Sequence, residues 1–461
     1  MEESLNLGII SLLPIVVLFV LIFITKRMLL SLTAASLVGA VLIGRASFAS
    51  VWLLKVQEAF MEGTIGYLIL LLALFGILIA LLDYSGAVFE FANWLAKYAN
   101  TRRKALIITY ILGWLIFVDD YLNNLAVSTA MKKLCDKHGI PRTMLGYVVN
   151  STAAPVCILI PISTWAVFYS GLFEEFGVVR NGSGMSAYIA GIPFLFYGWI
   201  SLVVCLLLVL GVLPMIGLIK KDNQLAKETG VVCSVERNLD GAEITTTNSQ
   251  NAEGEVLKKN PIKFILPLLL LIGLTVLTGD VLIGCMGAIV VVGAIMVFDK
   301  RFNLGDIFDN AYKGVASMAS ITCVITMALT LVGINTSTGL PDFVVATLTP
   351  ILNSAVLPAI VFGFCAVYSY FGGGFWDMSL LFMPIVVPLA IALNLDPLMS
   401  CAALVCAATA GSTTYVAGDA IMITSRAVDI KPFYQMLATL PYAIISYVLS
   451  VIAFVIAGFV I

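Results

Sequence analysis

The sequence predicts an all-α polytopic membrane protein built as two inverted repeats, and three observations predict it. Of 461 residues, 61% are apolar and only 11% charged, whereas soluble domains carry about 25% charged residues. The apolar residues gather in charge-free runs of membrane-crossing length. The same features then recur in the same order in both halves of the chain. A formal charge of −2 leaves no basic footprint for nucleic acid. The nine cysteines show no C-x-x-C spacing, and His138, in a charged loop, is the one histidine. Zinc, haem and disulfide frameworks are therefore not expected, nor is any other cofactor.

The elements follow in order. Met1-Glu2-Glu3 is acidic where a secretory signal is basic, so the run 9–24 reads as a first span. Runs 28–43, 65–82, 105–118, 144–173 and 188–219 follow. Residues 220–260 are polar, with near-balanced charges and a Thr245-Thr246-Thr247 run. They read as a solvated linker on the cytoplasmic side, flexible or disordered. Runs 264–278, 281–298, 315–332, 344–375, 378–395, 398–418 and 436–461 make up the second half. The expected division is thus 1–219, 220–260 and 261–461.

Each half opens with two apolar runs and a short amphipathic segment (48–60 and 302–312). Each has a third span ending in Ser85-Gly86 or Thr338-Gly339, then an acid within apolar sequence, Phe117-Val118-Asp119-Asp120 or Phe375-Trp376-Asp377. A proline follows about 20 residues later, Pro141 or Pro397, and then a hydroxyl cluster, Asn150-Ser151-Thr152 or Ser412-Thr413-Thr414. Such recurrence marks an internal repeat.

Basic residues set the topology. Lys26-Arg27, Arg102-Arg103-Lys104, Lys132-Lys133-Lys137, Lys220-Lys221, Lys300-Arg301, Arg426 and Lys431 fall inside, and Glu174-Glu175 outside. Residues 342–396 contain no Lys or Arg and fall outside. Two basic clusters on one side of 105–131 make that stretch a hairpin that enters and returns. Its counterpart lies near 355–395. Each half then crosses five times, and an odd count inverts the second repeat against the first.

Acids at membrane depth are costly and commonly functional. Asp119 and Asp120 sit at the expected tip of the first hairpin. Asn123 and Asn124 share their helix face and add hard oxygen ligands for a small cation; the other reading is a solvated polar loop. Asp377 follows Gly372-Gly373-Gly374, where Gly373 and Gly374 permit a tight turn with open carbonyls; the other reading is an external turn. No Lys-Ser/Thr follows, so this is no phosphate loop. Asn150-Ser151-Thr152 with Pro155 interrupts one span, Pro161-Ile162-Ser163-Thr164 continues that interruption, and Ser412-Thr413-Thr414 with Asp419 interrupts another. Discontinuous helices of this kind form midplane sites in transporters, although Ser and Thr also bond back to their own helix. Asp83, Glu90, Asp342 and Asp396 are expected to face water or cap helices. Trp165, Trp199 and Trp376 are interfacial anchors or pocket walls. No Lys or Arg is placed at depth to match an anion.

Phe117-Val118-Asp119-Asp120-Tyr121-Leu122-Asn123-Asn124, Asn150–Cys157, Gly372–Pro388 and Gly411–Asp419 resemble the NhaC family of sodium/proton antiporters. The resemblance spans nearly the whole chain. It implies an elevator-type ion-transporter fold, a homodimer, and a multi-pass location in the cytoplasmic membrane. Relatives exchange sodium for protons, exchange malate and lactate, or carry amino acids. A sodium/proton antiporter is the leading expectation. Asp119, Asp120, Asn123 and Asp377 are the expected sodium ligands, and Asn124, Asn150, Ser151, Thr152, Pro155, Gly373, Gly374, Ser412, Thr413, Thr414 and Asp419 complete the site. An ion-coupled carrier of a small organic acid or amino acid is the alternative. An aspartyl protease lacks its usual flanks here.

Overall fold

The computed structural model describes residues 7–25, 27–61, 63–241, 243–246, 260–299, 302–372 and 375–460. The first half contains α1 (Leu13–Thr25), α2 (Met28–Gly44), α3 (Phe48–Met61), α4 (Gly63–Tyr84), α5 (Ala87–Ala96), α6 (Arg102–Leu115) and α7 (Asp120–Lys137). It continues with α8 (Arg142–Leu159), α9 (Thr164–Glu175), α10 (Gly184–Gly191) and α11 (Phe196–Val209). A connecting segment follows, with α12 (Gly217–Thr229), β1 (Val231–Cys233) and β2 (Ile244–Thr245). The second half contains α13 (Ile262–Thr278), α14 (Val281–Phe298), α15 (Leu304–Ser337), α16 (Leu340–Leu348) and α17 (Leu357–Gly372). It ends with α18 (Phe375–Ala392), α19 (Pro397–Thr414), α20 (Asp419–Ala427) and α21 (Pro432–Val460).

The chain is a polytopic all-α membrane protein. Among the described residues six helices are long and apolar enough to cross a bilayer, or up to nine if each bent pair counts as one span. Large apolar side chains point outward along several of them, Val290 at 69% exposure and Ile456 at 58% among them. In water such surfaces would aggregate; against acyl chains they are at rest. The interior helices are the opposite. Every residue of α8 is buried, and so is α19 from Leu398 to Thr414. These two helices pack on each other, and they carry the hydroxyl clusters.

Several expected runs are divided. The run 144–173 is α8 and α9, bent by 41° at residues 160–163. The break coincides with the Pro161–Thr164 part of the expected interruption, while at Asn150–Pro155 α8 is continuous. A proline in the fourth helical turn is tolerated because the buried surroundings hold the helix together. The run 188–219 ends at Val209, because Gly211 and Gly217 take left-handed φ of +77° and +58° with Pro214 between them. Such φ values suit glycine and stop a helix. The run 344–375 divides into α16 and α17 after Thr349-Pro350. The amphipathic stretch 302–312 continues without interruption into the 34-residue α15.

The connecting segment is also corrected. Its residues 220–241 and 243–246 fold rather than trail as a solvated linker. Helix α12 buries Ile219, Asp222, Asn223 and Ala226 on one face, and β1 and β2 form an antiparallel pair. The segment clasps both halves. Thr143 donates to Asp222 at 2.8 Å, Arg102 donates to Asn223, and Asn238 bridges to Ile430 between α20 and α21. Lys431 N donates to Arg237 O at 2.8 Å. The rest of the expected linker, residues 247–259, lies outside the described residues.

Close helix crossings rest on glycine. Helices α4 and α15 meet where a Cβ on Gly76 would lie 2.3 Å from Gly314 O, and one on Gly314 would lie 2.4 Å from Gly76 O. Small residues at such crossings let backbones approach in lipid, where no hydrophobic force drives helices together.

Candidate ion and substrate site

The site begins with two helix breaks that meet. Helix α6 stops at Leu115, and α7 restarts with Asp119 as its N-cap, accepting from Leu122 N at 3.0 Å. Helix α9 restarts with Ser163 as N-cap, accepting from Ala166 N. Ser163 also donates to Cys157 O at 2.5 Å, across its own break. Thr164 N donates to Val118 O at 3.0 Å and ties the two breaks together. Two helix N-termini therefore converge, and their dipoles favour negative charge there.

The carboxylates divide their labour. Asp119 uses both oxygens: Oδ1 on Leu122 N, Oδ2 on the Thr164 hydroxyl at 3.2 Å. Asp120 is fully buried and accepts from Trp165 Nε1 at 3.0 Å through Oδ1. Its Oδ2 has no partner among the described residues. Trp165 is thus a wall of the site rather than an interfacial anchor, while Trp199 is 41% exposed.

The asparagines act as C-caps. Asn123 Nδ2 donates to Gly113 O and Ile116 O, both at 2.8 Å, closing the end of α6. Asn150 Nδ2 donates to Thr413 O at 2.8 Å, closing the end of α19. In each case Oδ1 is buried with no partner among the described residues. Both polar atoms of Asn124, Ser128 Oγ and Ser412 Oγ likewise have no partner among them. Buried polar atoms nearly always find partners. Asp120, Asn124 and Ser128, four residues apart in sequence, stand on one face of α7.

The other expected residues fall into place differently. Thr152, Thr413 and Thr414 bond back to carbonyls of their own helices, the bland role open to helical hydroxyls. Thr413 also meets the Tyr197 hydroxyl at 3.0 Å. Ser151 and Pro155 are buried in α8. Asp419 is exposed at the start of α20 and accepts from Tyr121 OH at 3.3 Å, next to Asp120 in sequence. Gly373 and Gly374 lie outside the described residues, as does the side chain of Asp377, whose backbone is in the first turn of α18. Of the acids expected at span ends, Asp396 caps α19. Glu90 is buried and paired with Lys263 at 3.4 Å, so it does not face water.

A cavity of about 770 Å³ opens beside this cluster. Asp119, Tyr121 and Thr164 line it from α7 and α9, and Leu72, Gly76 and Asp83 from α4. Lys313 and Ser317 come from α15, and Ile423 and Arg426 from α20. Sequence reasoning found no cation for an anion. The fold supplies Lys313 and Arg426, from two helices far apart in sequence. Ser128 and Ser369, whose hydroxyls are buried without a partner among the described residues, were missed, and Thr164 was marked only as part of a helix break. The Pro161-Ile162-Ser163-Thr164 string, a break followed by an N-cap residue, was the available signal for Thr164.

Broken helices whose ends meet on buried carboxylates beside a cavity define a secondary transporter. The comparisons agree. Residues 156–459 match the Na+/H+ antiporter family, and the chain belongs to that family. It is 23% identical, over 97% of its length and 91% of the relative's, to an uncharacterized protein of Haemophilus influenzae. Its fold is similar to the YdaH transporter of Alcanivorax borkumensis, with a TM-score of 0.59 and 13% identity, covering 90% of this chain and 88% of that one. It is also similar to MtrF of Neisseria gonorrhoeae, described among antimetabolite efflux pumps, with a TM-score of 0.51 and 14% identity, covering 96% and 94%.

Proposed function

We propose that the protein exchanges Na+ for H+ across the cytoplasmic membrane at a single site centred on Asp120. The observation that carries this reading is the set of buried oxygens without partners: Asp120 Oδ2, Asn123 Oδ1, Asn124 Oδ1, Ser128 Oγ, Asn150 Oδ1 and Ser412 Oγ. Hard oxygens left unpaired in an apolar interior suit a small hard cation. A proton on Asp120 or a sodium ion against it each neutralises the carboxylate. The two compete, so one flux drives the other. A bare carboxylate in the membrane interior is costly, which disfavours return of the empty site.

The moving part in this reading comprises α6–α9 and α17–α20, held together by the clasp of α12, β1 and β2. It shifts against α1–α5 and α13–α16 in an elevator movement. The inverted repeat, with Asp377 as the counterpart of Asp119 and Asp120, supports two equivalent end states. Two such chains form a homodimer.

The test is sodium-driven proton movement in proteoliposomes. Wild type acidifies or alkalinises the lumen in response to a sodium gradient. Asp120→Asn, which keeps the Trp165 bond but not the charge, abolishes the response. Unchanged exchange in the variant removes Asp120 from the mechanism.

A further inference from the structure

We propose that a groove between α17, α19 and α21 seats an acyl chain of a bilayer phospholipid, which enters from the side and packs against the back of the candidate site. The groove is a second cavity, of about 330 Å³, and it shares no lining residue with the one beside Asp119. Its size reaches the range of sites that hold organic ligands, roughly 300–1,000 Å³. Val367, Phe371 and Ile444 form its mouth, exposed at 50%, 65% and 52%, so it opens on the lipid-facing surface. Tyr197 and Ala410 form its inner wall and are buried. Its depth is read from α21. Leu440 and Tyr447 line the groove eight and fifteen residues after Pro432, where that helix begins beside Lys431. At 1.5 Å per residue they stand about 12 and 22 Å along the helix, in the middle of a hydrocarbon layer roughly 30 Å thick.

The lining decides what fits. Among the described residues it has no charged side chain, and its hydroxyls are already engaged within the protein. Tyr447 donates to Gly363 O at 2.9 Å and Thr414 to Ala410 O at 2.6 Å. Tyr370 donates to Met436 Sδ at 3.9 Å, and the Tyr197 hydroxyl meets that of Thr413 at 3.0 Å. An occupant is offered aliphatic and aromatic surface, so a polar or charged solute would lose its hydration here without replacement. The bilayer core supplies no water to fill the groove, and an empty groove forfeits the dispersion contacts of its walls. Acyl chains are the apolar material present at its mouth, and the groove continues the surface that they already cover. A chain seated here touches α17 and reaches Tyr197, whose partner Thr413 belongs to the end of α19 that Asn150 closes. The proposal is independent of which ion or solute the protein carries.

The experiment is photolabelling of the purified full-length protein in nanodiscs that contain a phosphatidylethanolamine with a diazirine in the distal half of one acyl chain. Labelled residues are mapped by peptide mass spectrometry. General contact with lipid labels outward residues such as Val290 on α14, Val367 and Ile444. A chain inside the groove also labels the buried wall, Ala410 and Thr414 of α19 and Tyr197 of α11. Two variants fill the groove from opposite sides, Ala443→Phe on α21 and Ala366→Leu on α17. Each is expected to remove most of the label from α19 and to leave that on Val290 unchanged. Melting temperature checks that each variant is folded. Label confined to the outward residues, with none on α19 or Tyr197, means an empty groove and overturns the proposal. Label on α19 that persists in both folded variants overturns it as well. Protection of Val367, Phe371 and Ile444 while Val290 is labelled would put a second copy of the chain over the mouth, and overturns it too.

Discussion

Adjacent aspartates at one helix start serve two purposes. Asp119 is a structural cap whose oxygens are both engaged. Asp120 keeps one oxygen without a partner. Asp119→Asn retains a good N-cap and is expected to leave thermal stability nearly unchanged. Asp119→Ala loses the cap and costs about 1 kcal/mol, read as a lower melting temperature. Neither is expected to abolish exchange as Asp120→Asn does. The sequence marked both acids and both asparagines as candidates, since acids among apolar residues stand out. It did not separate the capping acid from the one that keeps an oxygen without a partner, because a cap and a candidate ion ligand call for the same residue type. Nor did it show that Asn123 and Asn150 spend their amide nitrogens on helix ends and keep only an oxygen. That depends on where α6 and α19 stop, which the break geometry decides.

At the scale of elements, the breaks and the clasp matter most. The division of α8 from α9 was legible in Pro161 and Ser163, although the expected interruption also took in Asn150–Pro155, where α8 is continuous. The clasp was not legible. Its polar composition matches a linker, and its apolar residues are spaced for a single buried face of α12 rather than for a span. Arg142 anchors its surroundings: side-chain exposure is 7% for Arg142 and 2% for Asp136, which pair at 2.9 Å, with Asp429 also bound at 3.0 Å. Arg142→Met leaves the Asp136 charge buried and unmatched, so a loss of about 3–5 kcal/mol is expected, measured by thermal unfolding. Near it, burial pushes the Asp222 carboxyl above its usual range, partly offset by the Thr143 hydroxyl and the Arg237 guanidinium. Folding therefore tightens proton binding at Asp222. Its contribution to stability is present in full below the unfolded value of about 4 and is lost as pH rises through the higher folded value. The pH dependence of proteolysis within the clasp is expected to flatten in Asp222→Asn. At the α4–α15 crossing, Gly76→Ala places a Cβ against a backbone carbonyl that has no rotamer to escape into. A loss of about 1–3 kcal/mol is expected, read from the same unfolding assay.

For the whole molecule, the distribution of burial defines the protein. Apolar surface faces outward on the long helices, while α8 and α19 are sealed at the centre with their polar residues. Composition alone announced a membrane protein. The cavity was illegible, because Lys313 and Arg426 lie 113 positions apart in sequence and meet it only through packing of α15 and α20. The central claim is that one carboxylate holds either a sodium ion or a proton. The most direct measurement is Na+ binding to the purified protein as a function of pH. The apparent affinity is predicted to fall about tenfold per pH unit once the proton outcompetes sodium, since one proton is exchanged per site, and Asp120→Asn is predicted to remove both the binding and its pH dependence. Sodium binding that is indifferent to pH, or that persists in Asp120→Asn, would contradict the account.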